Sequence, residues 1–327
     1  MKALVTGGTG FTGSALSRRL AEAGHEVIAL DTKPGLAGDE LRRLGVRIEN
    51  GSVADRTLVD QLVRGCDRVY HLAAAFRQVN LGRRAYHDVN VNGTRWICEA
   101  ALRERVQRVV YCSTCGVHGN VANPPAREES PIAPADYYQQ TKWEGELVAR
   151  EFMERGLSVS IVRPTAIYGP GDPERFLMIF RRVANGRFIF LGDGAAHYHP
   201  VYVENLVDGI LLAGELDAAQ GQTYLIGDDQ SMPIRDLVAK VATALDSDPT
   251  VLHLPFWPAY VAAAAVELAY KPLPFEPPIF RRRLDWFRQN RSFDISKARR
   301  ELNYQPRVPL GEGLRLTAAW YRQQGLI

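Results

Sequence analysis

The chain has 327 residues, 46% hydrophobic and 24% charged, with a formal net charge of +3. This is the composition of an ordinary globular protein, and the near-neutral balance excludes a bulk electrostatic case for nucleic-acid binding; the one basic cluster, Arg281 to Arg283, reads as a solvated helix face. The four cysteines, Cys66, Cys98, Cys112 and Cys115, form no framework of a disulfide-stapled secreted domain, and "MKALVTGG" holds no apolar stretch of signal-peptide length, so a cytoplasmic, reducing compartment is expected.

In chain order, "KALVTGG" reads as a strand running into a turn. "FTGSALSRRLAEAGH" reads as a helix, because Phe11, Leu16, Leu20 and Ala23 fall on one side. "EVIALD" and "VRIENGSV" are the second and third strands, "VDQLVRGC" a helix and "DRVYHLAA" the fourth strand. "GTRWICEAALRERV" is helical, "QRVVYCS" is the fifth strand, "DYYQQTKWEGELVAREFMERG" a long helix and "SVSIVRPTAIYG" the sixth strand. Strands alternating with helices predict an α/β fold, a doubly wound parallel sheet of Rossmann type. The near-continuous apolar runs of several strands fit a sheet buried on both faces.

Beyond Gly171 the rhythm breaks at Pro173, at "GDG" (192–194) and at the proline-rich "KPLPFEPP". Strand-like pieces return at "HPVYVENLVDGILLA" and "QTYLIG". The expected division is a Rossmann domain over residues 1–172, completed by about 200–227, with a smaller interleaved substrate lobe from 173–199 and 228–327. The longest apolar stretch, "PFWPAYVAAAAVELAY", is interrupted by Glu267, flanked by prolines and too short to span a bilayer. It reads as a buried or interface helix, with contact to a membrane surface as the alternative.

"VTGGTGFTGS" lies between the first strand and the first helix, with Gly7, Gly10 and Gly13 spaced G-x-x-G-x-x-G and Phe11 and Thr12 between them. In such a loop the first glycine permits the tight turn, the second lets backbone approach a pyrophosphate, and the third lets helix pack on strand. The free N–H groups and positive dipole end of the helix face the phosphates. Asp31 closes the second strand at about the 20-residue offset at which an acid accepts the adenosine ribose hydroxyls. It would repel a 2′-phosphate, which favours NAD over NADP; Lys33 close by pulls the other way.

"DYYQQTKWEGE" places Tyr138 four residues before Lys142, on one helix face. A phenol with an ordinary pKa of about 10 is a poor base near neutrality. An ammonium beside it stabilises the phenolate and makes it a usable general acid and base. Upstream, "VVYCSTCGVHG" ends the fifth strand, where doubly wound sheets bind their ligands, and Thr114 is placed to hydrogen-bond a carbonyl or alcohol oxygen beside Tyr138, with Ser113 in support. The same stretch contains a Cys-x-x-Cys, Cys112 and Cys115, followed by His118. A redox pair would need its nucleophile at a helix N-terminus, and zinc about four ligands, so both sulfurs read as small buried hydrophobes and no metal is expected.

"TGGTGFTG", "VYHLAA", "DVNVNGT", "YCSTCGVHG", "YYQQTK" and "RPTAIYGPG", in this order, resemble the extended short-chain dehydrogenases/reductases, the NAD-dependent epimerase/dehydratase group. "HPVYVENLVDGILLA" and "RSFDISKARRELNYQP" extend the resemblance over nearly the whole chain. The resemblance implies NAD as cofactor and Thr114, Tyr138 and Lys142 as the catalytic group, with Lys142 also holding the nicotinamide ribose. It implies a cofactor site that also takes in Val53, Leu72, Ala73, Ala74, Asn90 and Pro164, with Ser52 where relatives often carry an acid for adenine. Trp96 and Trp143 lie on helices that relatives use to dimerise, which implies a homodimer.

Departures from the family pattern bear on substrate. Cys115 and Gly116 follow Thr114 where dehydratases carry acids, so a dehydratase is disfavoured. Ala166 stands where nucleotide-sugar enzymes often have Asn, and "AHYHPVYV" lacks their usual arginine, offering His197 and His199 instead. The expected substrate contacts are Ser113, Thr114, Tyr138, Ala166 and His197. His118 reads as a substrate contact or a loop histidine held by backbone, and Arg163 as structural. The expected activity is a nucleotide-sugar epimerase; the alternatives are a dehydrogenase/reductase of a secondary alcohol or ketone, of hydroxysteroid-dehydrogenase type, and a non-catalytic NAD-binding regulator. The expected partner is a small molecule, with no nucleic acid and no membrane span.

Overall fold

The structure, a computed structural model, describes residues 1–76, 82–172, 176–270 and 281–327, without the side chains of residues 282 and 283. Pro173 and "KPLPFEPP" lie outside the described residues. Strand β1 (Lys2–Thr6) turns into helix α1 (Phe11–Glu22), and β2 (Glu26–Asp31), α2 (Gly38–Arg43), β3 (Arg47–Asn50), α3 (Arg56–Val63) and β4 (Arg68–His71) follow. Helix α4 (Arg83–His87) runs through a π-helical turn, Asp88–Asn92, into α5 (Gly93–Arg103). Strand β5 (Arg108–Cys112) ends at a 3₁₀ turn, Cys115–His118, and helix α6 (Tyr137–Glu154) leads to β6 (Val159–Pro164) and β7 (Ala166–Tyr168). The C-terminal half holds α7 (Leu177–Ala184), β8 (Arg187–Leu191), β9 (His197–Tyr198), β10 (Pro200–Tyr202), α8 (Val203–Glu215), β11 (Thr223–Ile226), β12 (Met232–Pro233), α9 (Ile234–Leu245) and β13 (Thr250–Leu254). It ends with α10 (Phe256–Tyr270), α11 (Arg281–Leu284), α12 (Ser296–Leu302) and α13 (Leu310–Gln323).

Seven parallel strands form one sheet in the order β11-β6-β5-β4-β1-β2-β3. Their apolar residues feed a core on each face. Leu4, Ile28, Val69, Val109 and Ile161 pack with α3, α5 and α6 on one side. Ala3, Val5, Tyr70, Val110 and Val162 pack on the other with α1, α8 and much of the C-terminal half. Chain order reverses across β1 and β4, so the crevice at their carboxyl ends is where such a sheet binds ligand.

Three expectations are corrected. Only Pro200–Tyr202 of "HPVYVENLVDGILLA" is strand; from Val203 on it is α8, whose Val203, Leu206, Val207 and Ile210 recur at helical spacing and are buried. The predicted sixth strand is two: β6 in the main sheet, then β7 paired to β10. Of the two readings of "PFWPAYVAAAAVELAY", buried or interface helix, the first is overturned: in helix α10 only Ala263 is enclosed, and Trp257, Val261 and Leu268 are exposed. Among the described residues, no helix is long and apolar enough to cross a membrane.

Candidate active site

The glycine turn needs its glycines for measurable reasons. Gly7 has φ +69°, and a Cβ there would lie 2.9 Å from the Ala73 nitrogen. A Cβ on Gly13 would sit 1.9 Å from the Gly7 carbonyl oxygen. A Cβ on Gly10 would lie 3.9 Å from Asp31 Oδ2, so bare backbone faces that carboxylate. Asp31 accepts from the Thr9 amide at 3.2 Å and the Thr32 amide at 2.8 Å, which fixes it at the loop and leaves lone pairs for hydroxyl donors. Phe11 and Thr12 open α1 half-buried, and Leu72, Ala73 and Ala74 are half-buried at the end of β4. Val53 is buried against Gly93, Pro164 is buried at the end of β6, and the Ser52 hydroxyl accepts from the Ala54 amide at 3.1 Å. A cradle of bare backbone, one fixed acid and small rim residues fits a dinucleotide.

Beneath the rim lies a buried relay. Thr94 Oγ1 donates to the Asn90 carbonyl at 2.8 Å, so His71 Nε2 donates to Thr94 at 3.0 Å. His71 Nδ1 then accepts from Thr6 Oγ1 at 2.7 Å, and Thr6 Oγ1 accepts from the Ala73 amide at 3.1 Å. Burial, aided by the charge of Lys142, pushes His71 down to about 3, so the imidazole that fixes Ala73 is neutral.

Helix α6 starts at Asp136, whose carboxylate accepts from the Gln139 amide, and Tyr138 enters the helix half-buried in its first turn. Its ring centroid lies 4.7 Å from that of Phe76. One turn on, Lys142 is fully buried with Nζ 4.3 Å from the Tyr111 ring centroid. Burial pushes it down to about 8, against the raising effect of Cys112 and Glu146. Asn90 ties the end of β4 to this helix: Oδ1 accepts from the Ala75 amide at 2.7 Å, Nδ2 donates to Thr141 Oγ1 at 2.9 Å, and Thr141 Oγ1 donates to the Tyr138 carbonyl at 2.9 Å. Thr114, half-buried, caps the 3₁₀ turn by accepting from the Gly116 amide at 3.0 Å, and keeps its own proton to donate.

Ser113 departs from its expected place against the substrate. It is buried, and its hydroxyl donates to Glu146 Oε1 at 2.5 Å. Ala166 is buried and its amide donates to the His199 carbonyl at 2.9 Å, so it offers a methyl group and no polar contact. His197 is half-buried, 3.4 Å from Ser231 Oγ, with its carbonyl accepting from the Arg291 amide. His199 is buried, donates to the Asp228 carbonyl at 2.8 Å and is held neutral by burial. His118 is also internal: Nε2 accepts from Arg163 Nη1 at 3.0 Å and Nδ1 donates to the Pro131 carbonyl at 3.2 Å. Desolvation pushes the Cys112 thiol up to about 11, so its proton stays on at neutral pH. Glu146 escaped the reading of the sequence, although it stands four residues after Lys142 on the same helix face.

A glycine cradle with a fixed acid at the end of a seven-stranded parallel sheet is the architecture of a dinucleotide-binding Rossmann fold. The chain belongs to the NAD dependent epimerase/dehydratase family, whose sequence model matches residues 3–227. It is an NAD-dependent enzyme of the extended short-chain dehydrogenase/reductase type. It is 31% identical to 2-alkyl-3-oxoalkanoate reductase of Stenotrophomonas maltophilia, over 96% of this chain and 98% of that one. It is 30% identical to N-acetyl-alpha-D-glucosaminyl-diphospho-ditrans,octacis-undecaprenol 4-epimerase of Escherichia coli O157:H7, over 77% of this chain and 75% of that one. Among solved structures, dTDP-glucose 4,6-dehydratase of Streptomyces venezuelae with NAD bound superimposes with a TM-score of 0.79 at 28% identity, covering 99% of this chain and 97% of that one.

Proposed function

We propose that the protein is an epimerase acting on a nucleotide sugar by transient oxidation of a secondary hydroxyl, with Tyr138, Lys142 and Thr114 as its catalytic group. The reading is carried by Lys142, fully buried one helical turn from half-buried Tyr138. A buried ammonium one turn from a phenol favours the phenolate, which makes Tyr138 a usable base near neutrality. Tyr138 removes the hydroxyl proton and later returns it; Thr114 donates to the reacting oxygen and steadies the ketone. Lys142 lowers the Tyr138 pKa and holds the nicotinamide ribose. NAD, when bound, would supply the reversible hydride acceptor for the carbinol carbon. Gly7, Gly10, Gly13 and Asp31 hold the dinucleotide, with Leu72 to Ala74 along its rim. We assign residues 1–172 and about 200–227 to the cofactor domain and the remainder to a substrate lobe, and infer a homodimer through α5 and α6, where Leu147 is exposed.

A second reading, net reduction of a ketone or oxidation of a secondary alcohol, is favoured by Ala166, which leaves an apolar wall where a sugar-binding amide would help. The two readings separate on cofactor turnover. Purified protein is examined by native mass spectrometry for retained NAD, then incubated with a panel of UDP- and dTDP-sugars. The epimerase reading expects retained NAD and an epimeric product without free NADH; steady release of NADH refutes it. Unchanged turnover in Tyr138→Phe would refute the assigned base.

A further inference from the structure

We propose that Glu146 is a positioning residue of this site: it fastens the helix carrying Tyr138 and Lys142 to both sides of Thr114 and sets a negative charge one helical turn beyond Lys142. The inference rests on the catalytic assignment above. Tyr138, Lys142 and Glu146 follow one another at i, i+4 and i+8 on α6. Glu146 is fully buried, as is Arg163 on β6. Its Oε1 accepts from Ser113 Oγ at 2.5 Å and from Arg163 Nε at 2.9 Å, and its Oε2 accepts from Arg163 Nη2 at 2.7 Å. Arg163 also donates through Nη1 to His118 Nε2 at 3.0 Å and to the Glu128 carbonyl at 2.8 Å. Ser113 precedes Thr114 and His118 ends the turn after it, so both flanks of Thr114 are tied through one carboxylate to the catalytic helix. A buried pair stripped of one partner leaves an uncompensated charge, which makes the arrangement all-or-none.

Electrostatics point the same way. Around Lys142 are Tyr111 and Cys112 on β5 and His71 on β4, with Tyr138 and Glu146 one turn to either side of it on its own helix. His71 is neutral and Cys112 keeps its proton, which leaves Glu146 as the fixed anion that supports the ammonium against burial. Tyr138 lies two turns from Glu146, about 12 Å along the axis, so Glu146 reaches it mainly through Lys142. Removing the carboxylate charge weakens the ammonium and thereby raises the Tyr138 pKa.

The test titrates NAD-loaded wild type, Glu146→Gln and Tyr138→Phe by tyrosinate absorbance between about pH 5 and about pH 10, subtracting the Tyr138→Phe trace. Glu146→Gln is expected to raise the Tyr138 midpoint by at least ~0.5 units. A wild-type midpoint no lower than an ordinary tyrosine's overturns the Tyr138–Lys142 assignment. A lowered wild-type midpoint that Glu146→Gln leaves in place, or lowers further, overturns the positioning role alone. Ser113→Ala supplies a second measurement if Glu146→Gln does not fold. Amide hydrogen exchange over Thr114–His118 is expected to speed up at least threefold while β11 is unchanged; no change, or an equal change in β11, overturns the proposal.

Discussion

Replacing Lys142 with methionine is expected to stabilise the cofactor-free fold while abolishing turnover. The ammonium is fully buried and its pKa is pushed from 10.5 down to about 8. Each unit is worth about 1.4 kcal/mol, so the folded state carries a penalty of ~3 kcal/mol relative to a neutral side chain. The Tyr111 ring, 4.3 Å from Nζ, returns ~1 kcal/mol of cation–π attraction, leaving a net gain of about 2 kcal/mol for Lys142→Met. At ~2.1 cal/mol/K per residue over 327 residues, that raises the melting temperature by about 3 °C. The sign depends on pH. Below about 8 both folded and unfolded chains carry the charge and the folded chain bears the full penalty. Between 8 and 10.5 the folded chain releases its proton first, so wild type gains stability as pH rises and the gap to the variant closes. The assay is calorimetry of both NAD-free proteins near neutrality and again above pH 10, with hydride transfer followed at neutral pH in the loaded enzymes. A variant less stable than wild type at neutral pH, or a gap that persists above pH 10, would refute the claim that Lys142 is a buried charge held at a cost.

His71 sets the opposite limb of the stability profile. Its pKa drops from 6.5 to about 3 in the folded chain, so stability present above 6.5 is lost as pH falls toward 3, by ~1.4 kcal/mol per unit. Urea midpoints for His71→Gln should show a shallower loss across that window; an acid limb as steep as wild type would contradict the relay. Gly13→Ala places a methyl 1.9 Å from the Gly7 oxygen and is expected to cut NAD affinity at least ~100-fold by titration calorimetry, with retention within threefold as the refuting result. Asp31→Asn keeps an acceptor for the Thr9 amide but removes the charge, and should lower the preference for NAD over NADP at least ~10-fold; an unchanged ratio would mean that Asp31 does not set it.

What was legible in the sequence is what depends on short spacings. Gly7, Gly10 and Gly13 must lie where backbone meets backbone, and the 1.9 Å and 2.9 Å approaches explain why no other residue type serves at Gly13 and Gly7. Tyr138 and Lys142 share a face because a helix repeats every 3.6 residues. Asn90 came only by resemblance, since its bonds to Ala75 and Thr141 join segments remote in sequence. Ser113 was misplaced for the same reason. A serine beside the catalytic threonine looks like a second hydroxyl for substrate until β6 brings Arg163, and α6 brings Glu146, to claim it. For His118 the sequence left open a substrate contact or a loop histidine held by backbone; the Pro131 carbonyl supplies the backbone bond, and Arg163, remote in sequence, takes the other nitrogen. The reading of α8 failed differently: its valines and leucines favour strand locally, and burial against both β5 and β6 at helical period overrides that preference. The parts of the site that a sequence hides are thus its buried polar bonds, because a hydroxyl, an imidazole or a carboxylate declares its role only when the partner that desolvation demands is brought to it. Glu146 is the clearest instance: beside Lys142 it is one more acid on an amphipathic helix, and only beside Ser113 and Arg163 does it become the fixed charge on which the reactive helix is hung.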